Sequence, residues 1–180
     1  FKLLVFGGSL GAQVLNETVP KALSFFDPEK RPTVLHQCGA RWIDSVTARY
    51  KELGVKAQVV GFIDDMASAY RESDLVICRA GAASVAELCA AGAASILVPF
   101  VVGTTSHQLG NARYMQGNGA AIMVEQPQFT PEHLFGTLMT LKRDKILDMA
   151  SHARHLCRPH AAQAVADIIE QVSDLKECPY

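Results

Sequence analysis

The sequence carries almost no net charge. Its 17 Lys and Arg residues are matched by 18 Asp and Glu residues, for a formal charge of −1. No basic run stands out, so the chain lacks the electrostatic footprint of a nucleic-acid binder. Long apolar runs are missing too: the longest are strand-sized, well short of the ~20 residues that a membrane span requires. Phe1-Lys2-Leu3-Leu4 lacks the charged-then-apolar layout of a signal peptide. Cysteines are few and odd in number, and Cys38, Cys78, Cys89, Cys157 and Cys178 show neither metal-ligand nor redox spacing. Cys78 and Cys89 lie in apolar contexts and are expected in the core, which fits a reducing cytoplasm. No Ser-His-Asp arrangement, catalytic carboxylate pair, metal cluster, repeat or low-complexity segment emerges. Neither a metal nor an organic cofactor is expected.

What remains is an ordinary globular composition, 49% apolar and 19% charged over 180 residues, enough for one domain with a substantial core. Short apolar runs alternate with amphipathic stretches. Strands are expected at Lys2 to Phe6, Thr33 to Gln37, Ala57 to Val60, Leu75 to Cys78, Ser95 to Val98 and Ala120 to Val124. Helical patterns occupy Ala12 to Phe25, Ala40 to Leu53, Asp65 to Arg71, Ser84 to Ala91 and His107 to Gly117. The strands are near-continuous apolar runs, as in a parallel sheet covered on both faces. Alternating β and α units imply right-handed crossovers and an α/β, Rossmann-like, doubly wound parallel sheet of about six strands. Asp64 or Asp65 is placed to cap the helix at Met66, and Gly54 and Gly92 fall at helix ends. After Val124 come C-terminal helices, near Glu132 to Leu141, Lys145 to Leu156 and Ala161 to Leu175. Thr130-Pro131 opens the first of these, and Pro159 separates the last two.

Two loops stand out within this pattern. Gly7-Gly8-Ser9-Leu10-Gly11-Ala12 follows the first strand, and Arg79-Ala80-Gly81-Ala82-Ala83-Ser84 follows the fourth. Each joins a strand to a helix start through small residues, leaving backbone N–H groups and the positive end of a helix dipole open to an anion. In open α/β sheets ligands bind beyond the carboxyl ends of the strands, where every candidate polar group here falls.

Each candidate has a plainer reading. Ser9 either contacts a phosphate, the reading that its glycine neighbours favour, or caps its helix. Ala83 and Ser84 offer donors to a diphosphate, or Ser84 is a plain cap. Glu87, three residues on, completes a capping box with Ser84 or accepts the two hydroxyls of a ribose. Gln108 and Asn111 share a helical face after the loop Val102 to Thr105, and either read sugar hydroxyls or form a solvated helix start. His107 is a base, a donor or a surface residue. His36, at a strand end, is expected to be structural.

In this order and spacing the motifs resemble the MurG family, which transfers N-acetylglucosamine from UDP-GlcNAc to lipid I, giving lipid II of bacterial peptidoglycan. Four segments carry the resemblance: the first glycine loop with Leu15-Asn16; Phe62-Ile63-Asp64-Asp65-Met66 with Tyr70 and Asp74; Arg79 through Glu87; and His107-Gln108 with Asn111-Ala112. The resemblance implies one half of a GT-B glycosyltransferase, residues 1–180 being a single C-terminal, donor-binding domain. Gly8, Ser9, Gly11 and the Ala83-Ser84 helix start would hold the diphosphate, with Arg79 in the same central motif. Ile63 would bind uracil through its backbone, Glu87 the ribose, and Gln108 with Asn111 the sugar, His107 standing beside them. Ser106 departs from an acidic residue common in relatives, and Ala80 from a common serine. Implied partners are UDP-GlcNAc, a lipid I acceptor and the protein's own N-terminal domain. That absent domain would supply the general base and the peripheral attachment to the cytoplasmic side of the plasma membrane, so the domain alone is expected to be inactive.

Overall fold

The computed structural model describes residues 1–101 and 107–174. Six strands form one sheet: β1 (Lys2–Phe6), β2 (Thr33–Gln37), β3 (Ala57–Val60), β4 (Leu75–Cys78), β5 (Ser95–Leu97) and β6 (Ala121–Met123). Every pair is parallel, and the order β3-β2-β1-β4-β5-β6 is that of a doubly wound sheet. The alternating faces of the strands feed two cores. Leu3, Val5, Leu75 and Ile77 pack with Leu15, Val19 and Met149 on one side. Leu4, Phe6, Val76 and Cys78 pack with Tyr70, Leu88 and Met115 on the other. Both faces are covered, which is why these strands read as unbroken apolar runs rather than alternating ones.

The helices are α1 (Gln13–Ser24), α2 (Ile43–Glu52), α3 (Met66–Glu72), α4 (Ala82–Ala91), α5 (His107–Gly117), α6 (Pro131–Thr140), α7 (Arg143–His155) and α8 (Ala161–Asp174). Asp65, rather than Asp64, caps α3 by accepting from the Ser68 N–H, and Thr130 caps α6 through His133. Gly92 ends α4 in the left-handed conformation. Helix α1 runs through Pro20, whose missing N–H leaves the Asn16 carbonyl without its helical donor. Arg49 Nη1 donates to that carbonyl at 3.1 Å, which both preserves the helix and ties α2 to α1.

Small shifts of boundary have local causes. Helix α4 starts two residues before the expected Ser84, because Gly81 rather than Ser84 is its N-cap. Residues 40–42 form a separate 3-10 turn ahead of α2. Cys78 and Cys89 are buried as expected, and the four described cysteines are free thiols. Cys178, Leu175, Ser106 and the loop from Val102 to Thr105 lie outside the described residues. Among the described residues no helix is long and apolar enough to cross a membrane.

Candidate functional site

Because all six strands run the same way, the loops after them gather along one edge of the sheet. Strands β1 and β4 are neighbours there, and chain connections leave in opposite directions on either side of them. This is the topological switch point, where a crevice opens in doubly wound folds. The two small-residue loops follow these two strands and so flank it.

The first loop is folded back on itself, the Gly11 N–H donating to the Gly8 carbonyl at 2.9 Å. It also rests directly on backbone. A Cβ at Gly11, which has φ +74°, would overlap the Cys38 carbonyl oxygen. That close approach leaves Gly8, Ser9 and Leu10 exposed at the edge. Ser9 is not a helix cap: the N-cap of α1 is Ala12, which has no side chain able to close the first turn. Helix α4 is likewise uncapped, Gly81 standing at its N-cap, and Ala83 and Ser84 sit in its first turn. The capping-box reading of Ser84 with Glu87 is therefore excluded, as is Ser84 as a cap. Both helix starts at the switch point thus keep N–H groups and dipole unmatched by a side chain; α2 and α7 also lack a side-chain cap, whereas α3 and α6 are capped.

The second loop is held from the far side by α5. Gln108 Oε1 accepts from the N–H groups of Ala80 at 3.3 Å and Phe100 at 2.9 Å, and Asn111 Nδ2 donates to the Ala80 carbonyl at 3.0 Å. These side chains are half-buried and engaged, not a solvated helix start, and among the described residues Gln108 Nε2 and Asn111 Oδ1 meet no partner. Arg79 donates to the Val98 carbonyl at 3.0 Å and stacks over Phe100, 5.1 Å from the ring centre. Its partial burial lowers the guanidinium pKa from its usual value without discharging it. His107 is exposed at the first position of α5.

Glu87 is exposed on α4 and accepts from the Tyr70 hydroxyl at 2.9 Å. Burial first, then the nearby Cys78 and the Glu87 carboxylate, push the Tyr70 phenol above its usual pKa, so it stays a donor. Ile63 is half-buried in the loop between β3 and α3, next to the exposed Phe62. A cavity of about 940 Å3 lies among α3, α4 and α7, with Glu87 and Asp65 on its wall and Phe1 and Asp74 at the amino edge of the sheet. Of the residues to which the resemblance gives a donor-binding role, Glu87 alone lines it, together with Asp64, Asp65, Met66, Tyr70 and Asp74 of the second motif segment. The others line the open carboxyl edge.

His36 is buried and bonded on both ring nitrogens, to Tyr50 Oη at 2.9 Å and Asn16 Oδ1 at 3.0 Å, while Asn16 Nδ2 donates to the Cys38 carbonyl. It is a structural histidine under the first loop, and burial lowers its pKa to about 3. Its neighbour Gln37, also buried, has no assigned role from sequence; a polar side chain closing β2 at the carboxyl edge was the available signal.

The model of the glycosyltransferase family 28 C-terminal domain matches residues 2–172. The chain belongs to this family. Within it, the family 28 domain is 54% identical over 172 residues to the UDP-N-acetylglucosamine--N-acetylmuramyl-(pentapeptide) pyrophosphoryl-undecaprenol N-acetylglucosamine transferase of Aromatoleum aromaticum, covering 96% of this chain and 48% of that protein. The equivalently named protein of Nitrosospira multiformis is 52% identical, with 95% of this chain and 48% of that one covered. The crystal structure of Acinetobacter baumannii MurG superposes with a TM-score of 0.88 at 39% identity, over 95% of this chain and 52% of that one. The resemblance to the MurG family read from four motifs is borne out. The family 28 domain spans about half the length of the curated relatives it matches.

Proposed function

We propose that residues 1–180 are the donor-binding half of an N-acetylglucosaminyltransferase, holding UDP-GlcNAc across the switch point of the sheet. The observation that carries this reading is the pair of uncapped helix starts, α1 and α4, facing one crevice behind small-residue loops. Such a pair suits a diphosphate. Ser9, Ala83, Ser84 and the backbone of Gly8 and Gly11 would hold it, with the cationic Arg79 near the same loop. The Ile63 backbone would meet uracil, Glu87 the ribose, and Gln108, Asn111 and His107 the sugar. The activity for which the relatives are named supplies the donor and the acceptor class.

In the whole enzyme the acceptor's C4 hydroxyl attacks the anomeric carbon, the bond from that carbon to the diphosphate oxygen breaks, and UDP leaves. Charge develops on the departing phosphate, where both helix dipoles point. The proton of the hydroxyl goes to a general base in the N-terminal half, which would also bring the lipid-linked acceptor and attachment to the cytoplasmic face of the membrane. Helix α8 supports such a partner domain: Val165, Ile168, Ile169 and Val172 form an apolar stripe, each more than half exposed.

Calorimetry tests the donor reading. The chain should bind UDP-GlcNAc saturably without hydrolysing or transferring it, and a hundredfold excess over Kd should stabilise it by about 2.7 kcal/mol. No saturable binding at millimolar ligand would count against the assignment.

Glu87→Ala separates ribose recognition from support of Tyr70. UDP and UDP-GlcNAc share the ribose, so both should weaken equally, by roughly 1.5–3 kcal/mol for a lost charge-assisted bond. A lower melting temperature with intact affinity would mean that Glu87 serves only to anchor Tyr70.

A further inference from the structure

Gln37 closes β2, the strand between β1 and β3, and is only 4% exposed. Its register partners are Phe6 on one side and Val60 on the other, each the last residue of its strand. The side chain therefore stands between the two loops that leave those strands. Its Nε2 donates to the Gly8 carbonyl at 3.0 Å and to the Gly61 carbonyl at 2.9 Å. An amide nitrogen carries two hydrogens, and each has one acceptor here. The opposite orientation would set Oε1 against two carbonyl oxygens, so the network leaves the amide one way round.

The two carbonyls belong to different parts of the candidate site. Gly8 precedes Ser9 in the first glycine loop, and Gly61 stands two residues before Ile63. Each loop is backed on one side: Gly11 is pressed on the Cys38 backbone, and a Cβ at Gly61 would crowd Ala40 and Ile43. We infer that Gln37 is a positioning residue that sets the phosphate loop and the base loop at the spacing required by one nucleoside diphosphate. The inference rests on the nucleotide reading above and extends it to a residue that touches no ligand.

Calorimetry on the 180-residue chain with UDP and ADP, for wild type, Gln37→Met and Gln37→Glu, tests it. Methionine keeps the length and removes both donors. UDP affinity should fall about tenfold, the scale of one to two lost amide bonds, and the preference for UDP over ADP should narrow, because both loops drift. In Gln37→Glu a carboxylate faces two carbonyls, while its protonated form donates to one. Its UDP affinity relative to wild type should therefore recover as pH falls from 8 to 5. Unchanged affinity and preference in Gln37→Met, whatever its thermal midpoint, would overturn the inference. So would weaker UDP binding with the base preference intact, which would confine Gln37 to the phosphate loop. Failure of both variants to fold would overturn it as well, since Gln37 would then hold up the domain rather than space its loops. A wild-type chain that binds no UDP removes the nucleotide reading itself, a result distinct from these.

Discussion

Gly11→Ala should cost about 3 kcal/mol or more and lower the thermal midpoint by roughly 6–12 °C, at ~2–4 °C per kcal/mol for a domain of this size. Two separate penalties fall on this one methyl. The φ of +74° is a conformation that an L side chain adopts at a cost of roughly 1–3 kcal/mol. The new Cβ also overlaps the Cys38 carbonyl, and backbone cannot swing aside as a long side chain can. Forced overpacking adds roughly 1–3 kcal/mol more. The Cys38 carbonyl is held in turn by Asn16 Nδ2 at 3.0 Å, so relief by moving it would break a buried hydrogen bond. Urea denaturation of both proteins measures the loss. The control is Gly8→Ala, which shares a positive φ of 87° but meets nothing within 4 Å, and should lose only the conformational part. Equal losses for the two would show that contact with Cys38 contributes nothing.

The fold was legible because its strands are unusually plain. Lys2–Phe6 and Leu75–Cys78 are short apolar runs ended by glycine loops, and a parallel sheet buried on both faces demands that pattern. Helix starts were less legible. Ser84 looks like a cap in sequence, but Gly81 takes that position in an extended conformation, and Ser84 falls inside the first turn. Pro20 gives no hint in sequence of the long-range donor, Arg49, that lets α1 continue through it.

The candidate site was legible as a set of loops rather than as a set of roles. Periodicity places Gln108 and Asn111 on one face of α5. It does not reveal that they grip the Ala80 backbone, 28 and 31 residues earlier in the chain. The Glu87 contact with Tyr70 likewise depends on how α3 packs against α4, a tertiary fact. Gln37 was least legible, because its meaning lies in what flanks β2 in space and not in its sequence neighbours.

Acid should weaken the domain through His36. Asn16 Nδ2 is committed to the Cys38 carbonyl, so Asn16 Oδ1 is an acceptor and His36 Nε2 must carry the hydrogen facing it. Nδ1 is then the acceptor for the Tyr50 hydroxyl, and a proton there would make that hydroxyl turn to accept and leave its own hydrogen without this buried acceptor. With burial, this keeps the ring neutral down to about pH 3 in the folded chain, against a usual value of 6.5. Between these limits the unfolded chain binds one more proton than the folded chain. Stability from this residue is therefore complete above about pH 6.5 and is lost as pH falls toward 3, by up to ~1.4 kcal/mol per pH unit. His36→Phe, which cannot titrate, should be less stable than wild type at pH 7.5, because Asn16 and Tyr50 lose their partner. The gap between the two should then narrow steadily toward pH 4.5 in urea denaturation, common carboxylate effects cancelling in the difference. A gap that stays constant over that range would mean that His36 is not held neutral. The same network braces the Cys38 carbonyl beneath Gly11 and stays intact while the ring is neutral, so acid should lower stability between pH 7.5 and 4.5 without His36 loosening that loop in the folded chain. A histidine that keeps its ring neutral in this way serves as a fixed brace beneath the first glycine loop.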